Sequence, residues 1–150
     1  MSEIRKVYYP NMMVKCKTPF QNGVIHGTQT WYYYYGTIES ERPYVNGVKH
    51  GIEKIYHEDG NIDYELTYVN GVKHGIQKLY HANGNVKSEN PYINGEIHGV
   101  AKDYYESGEL KAEVYYVNSI KHGIEKLYNQ DGTIESETKW INNQKINKTK

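Results

Sequence analysis

Five histidines, His26, His50, His74, His98 and His122, stand 24 residues apart, and each is followed by glycine. Neutral imidazole is the commonest metal ligand among side chains, so a regular column of five raises the question of a metal site. Five glutamates, Glu41, Glu65, Glu89, Glu113 and Glu137, keep the same interval, and paired carboxylates are the usual apparatus of acid–base catalysis. The interval itself decides against both. If successive copies stack in one sheet, equivalent residues two strands apart lie ~9–10 Å from each other, while zinc holds its nitrogen ligands at about 2 Å. The same distance argument covers the shorter column of His57 and His81. The histidines therefore read as turn residues that position the following glycine and pack against a cross-strand tyrosine. The glutamates read as a solvated face, spaced by about a Debye length at moderate salt. No phosphate loop, nucleophile elbow or Cys/His cluster occurs, and Cys16 stands near no catalytic sequence. These readings lead to a non-enzymatic protein with no cofactor and no metal.

The elements that hold these columns follow from a second set of markers. Gly36, Gly60, Gly84, Gly108 and Gly132 each close a short polar stretch. An Asn-Gly or its relic comes at Asn22-Gly23, Asn46-Gly47, Asn70-Gly71, Asn94-Gly95, Asn118-Ser119 and Asn142-Asn143. Two turn signals per period mean two strands per repeat. In the copy at residues 50–72, one strand runs from His50 to His57, Glu58-Asp59-Gly60 turns the chain, and Asn61 to Val69 return it. The expected fold is all-β, an elongated single-layer antiparallel meander of about six 24-residue hairpins and about twelve strands. It forms a single array over residues 1–150, with degenerate copies at both ends.

Parity predicts the faces, because neighbouring side chains on a strand point to opposite sides. Ile62, Tyr64, Leu66 and Tyr68 share even positions with Ile52, Lys54 and Tyr56, against Asp63, Glu65, Thr67 and Val69. Placing both apolar sets on one face requires cross-strand partners of equal parity, which three-residue loops closed by a left-handed glycine provide. Pro19, Pro43 and Pro91 share one column in the second strand. An interior strand has no position for a residue without N–H, so the ladder is expected to bulge there and to curve into a trough. A central glycine such as Gly75 should resist substitution, whereas Asn143 in the decayed last copy should tolerate it.

Composition bounds the partners. Lys+Arg and Asp+Glu both number 18, so no global field draws the chain to nucleic acid or to an anionic membrane. Apolar residues make up 37%, with 17 tyrosines and one phenylalanine, too few aliphatics for a thick core. A single cysteine excludes an internal disulfide and fits a reducing compartment. With no apolar leader and no run of spanning length, the chain reads as soluble and cytoplasmic.

A repeat array also points to a site wherever a column breaks its own rule. The largest break is Trp31-Tyr32-Tyr33-Tyr34-Tyr35, where another copy reads Ile-Tyr-His-Glu-Asp. On parity, Trp31, Tyr33 and Tyr35 fall on the charged face, joined by Tyr9 from the preceding hairpin. Exposed Trp and Tyr dominate binding hot spots; an N-terminal cap or a homodimer contact would use them equally well. Lesser breaks are Arg42, Asp103 and Tyr105. Together Tyr9, Trp31, Tyr33, Tyr35, Arg42, Asp103 and Tyr105 are the candidate partner-binding residues.

The skeleton Tyr-x-Asn-Gly-x-x-His-Gly, followed by Tyr and a second Gly, resembles the MORN repeat in its bacterial variant, and specifically the YwqK-like antitoxin family. That resemblance implies hairpin arrays used for protein contacts, in some eukaryotic cases for membrane lipids, and in bacterial variants for toxin neutralisation. It implies an antitoxin- or immunity-like inhibitor that binds a protein partner. A structural scaffold or membrane-associated adaptor is an alternative, and so is an inhibitor of a cellular or viral defence system.

Overall fold

The computed structural model describes residues 1–146. Among these the regular structure is all strand, and the chain divides into two compact units, Met1–Val72 and the residues from Lys73 on. The first unit contains β1 (Ser2–Tyr8), β2 (Val14–Gln21), β3 (Val24–Ile25), β4 (Gly27–Tyr32), β5 (Ile38–Val45), β6 (Val48–Lys49), β7 (Gly51–Tyr56) and β8 (Ile62–Val69). The second contains β9 (Val72–Tyr80), which begins on the last residue of the first unit, then β10 (Val86–Ile93), β11 (Glu96–Ile97), β12 (Gly99–Tyr104) and β13 (Leu110–Val117). It closes with β14 (Ile120–Lys121), β15 (Gly123–Tyr128), β16 (Ile134–Ile141) and β17 (Gln144–Ile146). Within each unit the sheet is an open antiparallel meander in which short strands share a partner with the strand after them, β3 and β4 both on β2, β6 and β7 both on β5, β11 and β12 both on β10, and β14 and β15 both on β13.

Both turn signals reverse the chain, but the Asn-Gly turn has two residues where the equal-parity reading needs three. Asn46 and Gly47 have φ of 49° and 83°, the two positive values of a type I′ turn, and they join Val45 to its partner Val48. At the other end His57 N–H donates to the Asn61 carbonyl at 2.8 Å, and Gly60 at φ 87° closes the three-residue loop between them. That loop gives equal parity, Tyr56 opposite Ile62, for one pair only. A bulge at Asp63 follows at once, so Ile55 faces Tyr64 and Glu53 faces Leu66. The equal-parity assignment of faces is thus overturned: even residues of the return strand share a face with odd residues of the outgoing one. The same shift recurs between Val7 and Tyr8, Trp31 and Tyr32, Asp103 and Tyr104, and Leu127 and Tyr128.

The strand count exceeds the expected twelve because a second irregularity cuts most outgoing strands in two. Tyr44 pairs with Lys49, but Glu41 pairs with Lys54, so two extra residues are accommodated on the outgoing side around His50-Gly51. His50 N–H donates to the Pro43 carbonyl at 3.0 Å, and the same bond joins His26 to Pro19 and His98 to Pro91. The prolines therefore sit opposite a bulge, where their missing N–H leaves no gap in the ladder. Gly51, at φ 112°, fits there twice over: its backbone is one that L side chains rarely adopt, and a Cβ would lie 3.1 Å from the Pro43 ring.

One face of each unit is buried and the other open. Cys16, Ser40, Glu53 and Leu66, the last 1% exposed, lie on the buried face of the first unit, and Ser88 and Ala101 on that of the second. The only buried apolar side chains among the described residues are Cys16, Leu66 and Ala101, which matches the thin core foreseen from composition. Gly75 has φ 77° as expected of a central copy, but the last copy is not relaxed. Asn142 and Asn143 keep φ of 50° and 63°, and Asn143 Oδ1 accepts the Lys121 N–H at 2.7 Å. A branched residue at Asn143 would be strained, contrary to the expectation of tolerance.

Candidate protein-interaction surface

Tyr33, Tyr34 and Tyr35 are turn residues, the equivalents of His57, Glu58 and Asp59, so strand parity does not apply to them. Tyr33 N–H donates to the Thr37 carbonyl at 2.8 Å and Gly36 N–H to the Tyr33 carbonyl at 3.0 Å. The Tyr33 hydroxyl reaches across to the Tyr56 carbonyl at 2.6 Å, in the following hairpin. Tyr9 does the same to Tyr32 at 2.7 Å, Tyr105 to Tyr128 at 2.7 Å, and His81 Nε2 lies 3.1 Å from the Tyr104 carbonyl. Tyr9, Tyr33 and Tyr105 thus obey a rule of their own, bridging one hairpin edge to the next, and histidine in that column serves the same bond.

Tyr34 and Tyr35 have no such duty. Tyr34 packs edge-on against Tyr9 with centroids 5.3 Å apart, and Tyr35 stands perpendicular to Tyr34 at 5.2 Å while remaining 86% exposed. The turn beside them is Tyr9-Pro10-Asn11-Met12, held by Tyr9 N–H to the Met13 carbonyl at 2.8 Å. Met12, 79% exposed, occupies the glycine position of that turn at φ 66°, and Met13 is also exposed. Two neighbouring turns therefore carry four exposed apolar side chains, Tyr34, Tyr35, Met12 and Met13, with Tyr34 stacked on the half-buried Tyr9. Sequence reading named Tyr9 and Tyr35 but missed Tyr34, Met12 and Met13; aligning Tyr34 with Glu58 and Met12 with Gly60 would have shown that all three depart from their columns.

Trp31 is not on the open face. It pairs with Cys16 on one side and Ser40 on the other, in the buried column, with the Arg42 guanidinium 6.0 Å from its ring. Its Nε1 and the Ser40 hydroxyl are buried without a hydrogen-bond partner. Arg42 donates to Glu53 at 3.1 Å, and Lys49 reaches the same carboxylate at 2.8 Å, so the broken column at 42 answers a buried acid. In the second unit Asp103 pairs with Ser88 and Ala112 and is exposed.

The glutamate column is more than a solvated face. Tyr56 donates to Glu41 at 2.8 Å, Tyr104 to Glu89 at 2.9 Å and Tyr128 to Glu113 at 2.8 Å. Burial and then the bonded carboxylate push the Tyr56 and Tyr104 hydroxyls up to about 12. The histidine column ties turns together. Asn46 N–H donates to His26 Nδ1 at 3.3 Å and Asn70 N–H to His50 Nδ1 at 3.4 Å, while His98 packs edge-on against Tyr115 at 6.5 Å.

Beside the Asn-Gly turns, the open face carries a stripe of β-branched side chains. Val45, Val48, Ile52 and Val69 form it in the first unit, and Ile76, Ile93, Val100 and Ile124 in the second; Ile52 is 51% exposed and Ile76 52%. Successive hairpins contribute to it in both units. The family model for the MORN repeat variant matches residues 25–46, 49–70, 73–94, 97–118 and 121–142. The chain belongs to the MORN repeat variant family. Its five MORN matches cover most of the sequence, each running from an outgoing strand to the next Asn-containing turn. A chain built from MORN repeats is a repeat-based interaction or scaffold module, and the family is generally non-enzymatic. No curated protein matches this chain.

Proposed function

We propose that this MORN protein is a non-enzymatic inhibitor of a protein partner, in the antitoxin- or immunity-like manner suggested by its resemblance to the YwqK-like family, and that it acts in the cytoplasm. The observation that carries the reading is the exposed set Tyr34, Tyr35, Met12 and Met13 beside the half-buried Tyr9. The scaffold needs only a glycine and polar residues at these turn positions, as Glu58-Asp59-Gly60 demonstrates. Stacked tyrosines lose little entropy on binding, and methionine adapts to irregular partner surfaces. Glu41, Glu89 and Glu113 and the histidines His26 and His50 are engaged in bonds between hairpins, which favours binding over catalysis.

A second reading, a scaffold with several contacts along its length, is favoured by the apolar stripe, since successive copies repeat it. Purification from the native cell with crosslinking separates the two. Tyr34→Ala together with Tyr35→Ala is expected to weaken binding of a stoichiometric partner by at least ~2 kcal/mol, the size of hot-spot losses, with the melting temperature unchanged. Loss of the partner with Ile52→Lys and Ile76→Lys instead would place recognition on the stripe and favour the scaffold. Trp31→Ala is unsuited to this test, because removing a ring from the buried column costs stability by itself.

A further inference from the structure

Four Asn-Gly pairs form the two-residue turns, Asn22-Gly23, Asn46-Gly47, Asn70-Gly71 and Asn94-Gly95; a fifth, Asn83-Gly84, lies in a three-residue loop, where Gly84 N–H donates to the His81 carbonyl at 2.9 Å. Asparagine before glycine has an intrinsic weakness, since no side chain shields the next backbone nitrogen from the amide carbon. That nitrogen can bond to the asparagine Cγ and lose its proton while the Cγ–N bond to the amide nitrogen breaks and ammonia leaves. Solvent water then adds to either carbonyl of the cyclic imide, opening it to aspartate or isoaspartate with no change of oxidation state. The attack requires a free glycine N–H and a chain that can leave the paired left-handed conformation of the turn.

Three of the four nucleophiles are tied down. Gly47 N–H donates to the Ile25 carbonyl at 2.8 Å, Gly71 N–H to Lys49 at 2.8 Å and Gly95 N–H to Lys73 at 2.9 Å. Histidine holds the asparagine of two of these turns, through Asn46 N–H to His26 and Asn70 N–H to His50. At the first turn the pattern shifts by one residue. Asn22 N–H takes the Met1 carbonyl at 2.9 Å, and among the described residues Gly23 N–H has no partner. Nothing lies within 4 Å of where a Gly23 Cβ would stand.

We infer that Asn22 is a site of spontaneous deamidation, set apart from its three sequence equivalents by the missing tie between hairpins. The product moves the net charge from zero to −1. Its isoaspartyl form adds a backbone atom to the turn joining β2 to β3 and disturbs the bond from the Met1 nitrogen to Asn22 Oδ1, which anchors the start of β1.

The test is to hold the intact folded protein at mildly alkaline pH and follow each asparagine by peptide mass spectrometry with isoaspartate detection, beside a sample in denaturant. In the folded protein Asn22 is expected to convert roughly tenfold faster than Asn46, Asn70 or Asn94, because exchange and modification follow local opening. In denaturant the four rates should fall within about threefold of one another, since their local sequences are alike. A rate at Asn22 no higher than at Asn46 or Asn70 in the folded protein overturns the inference. So does an equal preference for Asn22 in denaturant, which would make the sequence and not the missing tie responsible.

Discussion

Glycine at position 51 meets two constraints, and substitutions can separate them. Gly60 has φ 87° and open space around it, so Gly60→Ala should cost about 1 kcal/mol from backbone conformation alone. Gly51 adds the Pro43 ring at 3.1 Å to a φ of 112°, so Gly51→Ala should cost on the order of 3 kcal/mol. Urea midpoints of the two variants would measure the difference; equal losses would mean the proline contact contributes nothing. Met12 presents the converse case, a bulky residue at φ 66° in a position where other copies use glycine. Met12→Gly is expected to raise stability by about 1 kcal/mol, the strain released less the added freedom of the unfolded chain. The same change removes a thioether from the exposed cluster, so a variant that is more stable yet binds its partner less well would show residue 12 retained for contact.

At the scale of the hairpin, successive hairpins within a unit are held edge to edge by side chains reaching the main chain of the next copy. Tyr33 to the Tyr56 carbonyl is one such bond, and His81 toward the Tyr104 carbonyl shows that an imidazole can make it equally. Tyr33→Phe should therefore cost about 1 kcal/mol, and Tyr33→His should recover most of that loss, as read from denaturant midpoints. Failure of histidine to rescue would mean that the phenol ring's packing, and not its hydroxyl, joins the hairpins. The bulges at the two ends of each hairpin serve different purposes. The one at His-Gly accommodates proline at Pro19, Pro43 and Pro91 and recurs opposite Tyr115 without one, while the one after the three-residue loop resets parity, so that Leu66 and Ile55 share the buried face.

At the scale of the molecule, a tyrosine–glutamate rung occurs in both units and gives the protein an alkaline weakness. Tyr56 and Tyr104, pushed up to about 12, lie above the value near 10 expected of an unfolded chain. A phenol whose folded pKa is raised lends stability that is fully present below pH ~10 and disappears as pH climbs toward ~12. Chemical denaturation across that range should show a falling midpoint, and Tyr56→Phe with Tyr104→Phe should flatten the fall. An unchanged slope in the double variant would assign the loss to other groups.

The sequence by itself determined the repeat, its period, the places of both turns, the all-strand composition and the family, because glycine and asparagine at fixed intervals act locally through φ and need no distant partner. It also located the irregularity at the prolines, since a missing N–H must be accommodated wherever it falls. The faces were decided only by the tertiary structure. A bulge of one residue beyond the loop inverts the parity of a whole strand, and nothing in Asn61-Ile62-Asp63 announces it. For that reason Trp31 belongs to the buried column, Tyr9, Tyr33 and Tyr105 are bridges between hairpins, and the exposed apolar side chains include Tyr34, Tyr35, Met12, Met13 and a β-branched stripe. Columns read along the sequence show which residues are equivalent; which side they occupy depends on hydrogen-bond register, set by pairs of strands and not by one strand alone.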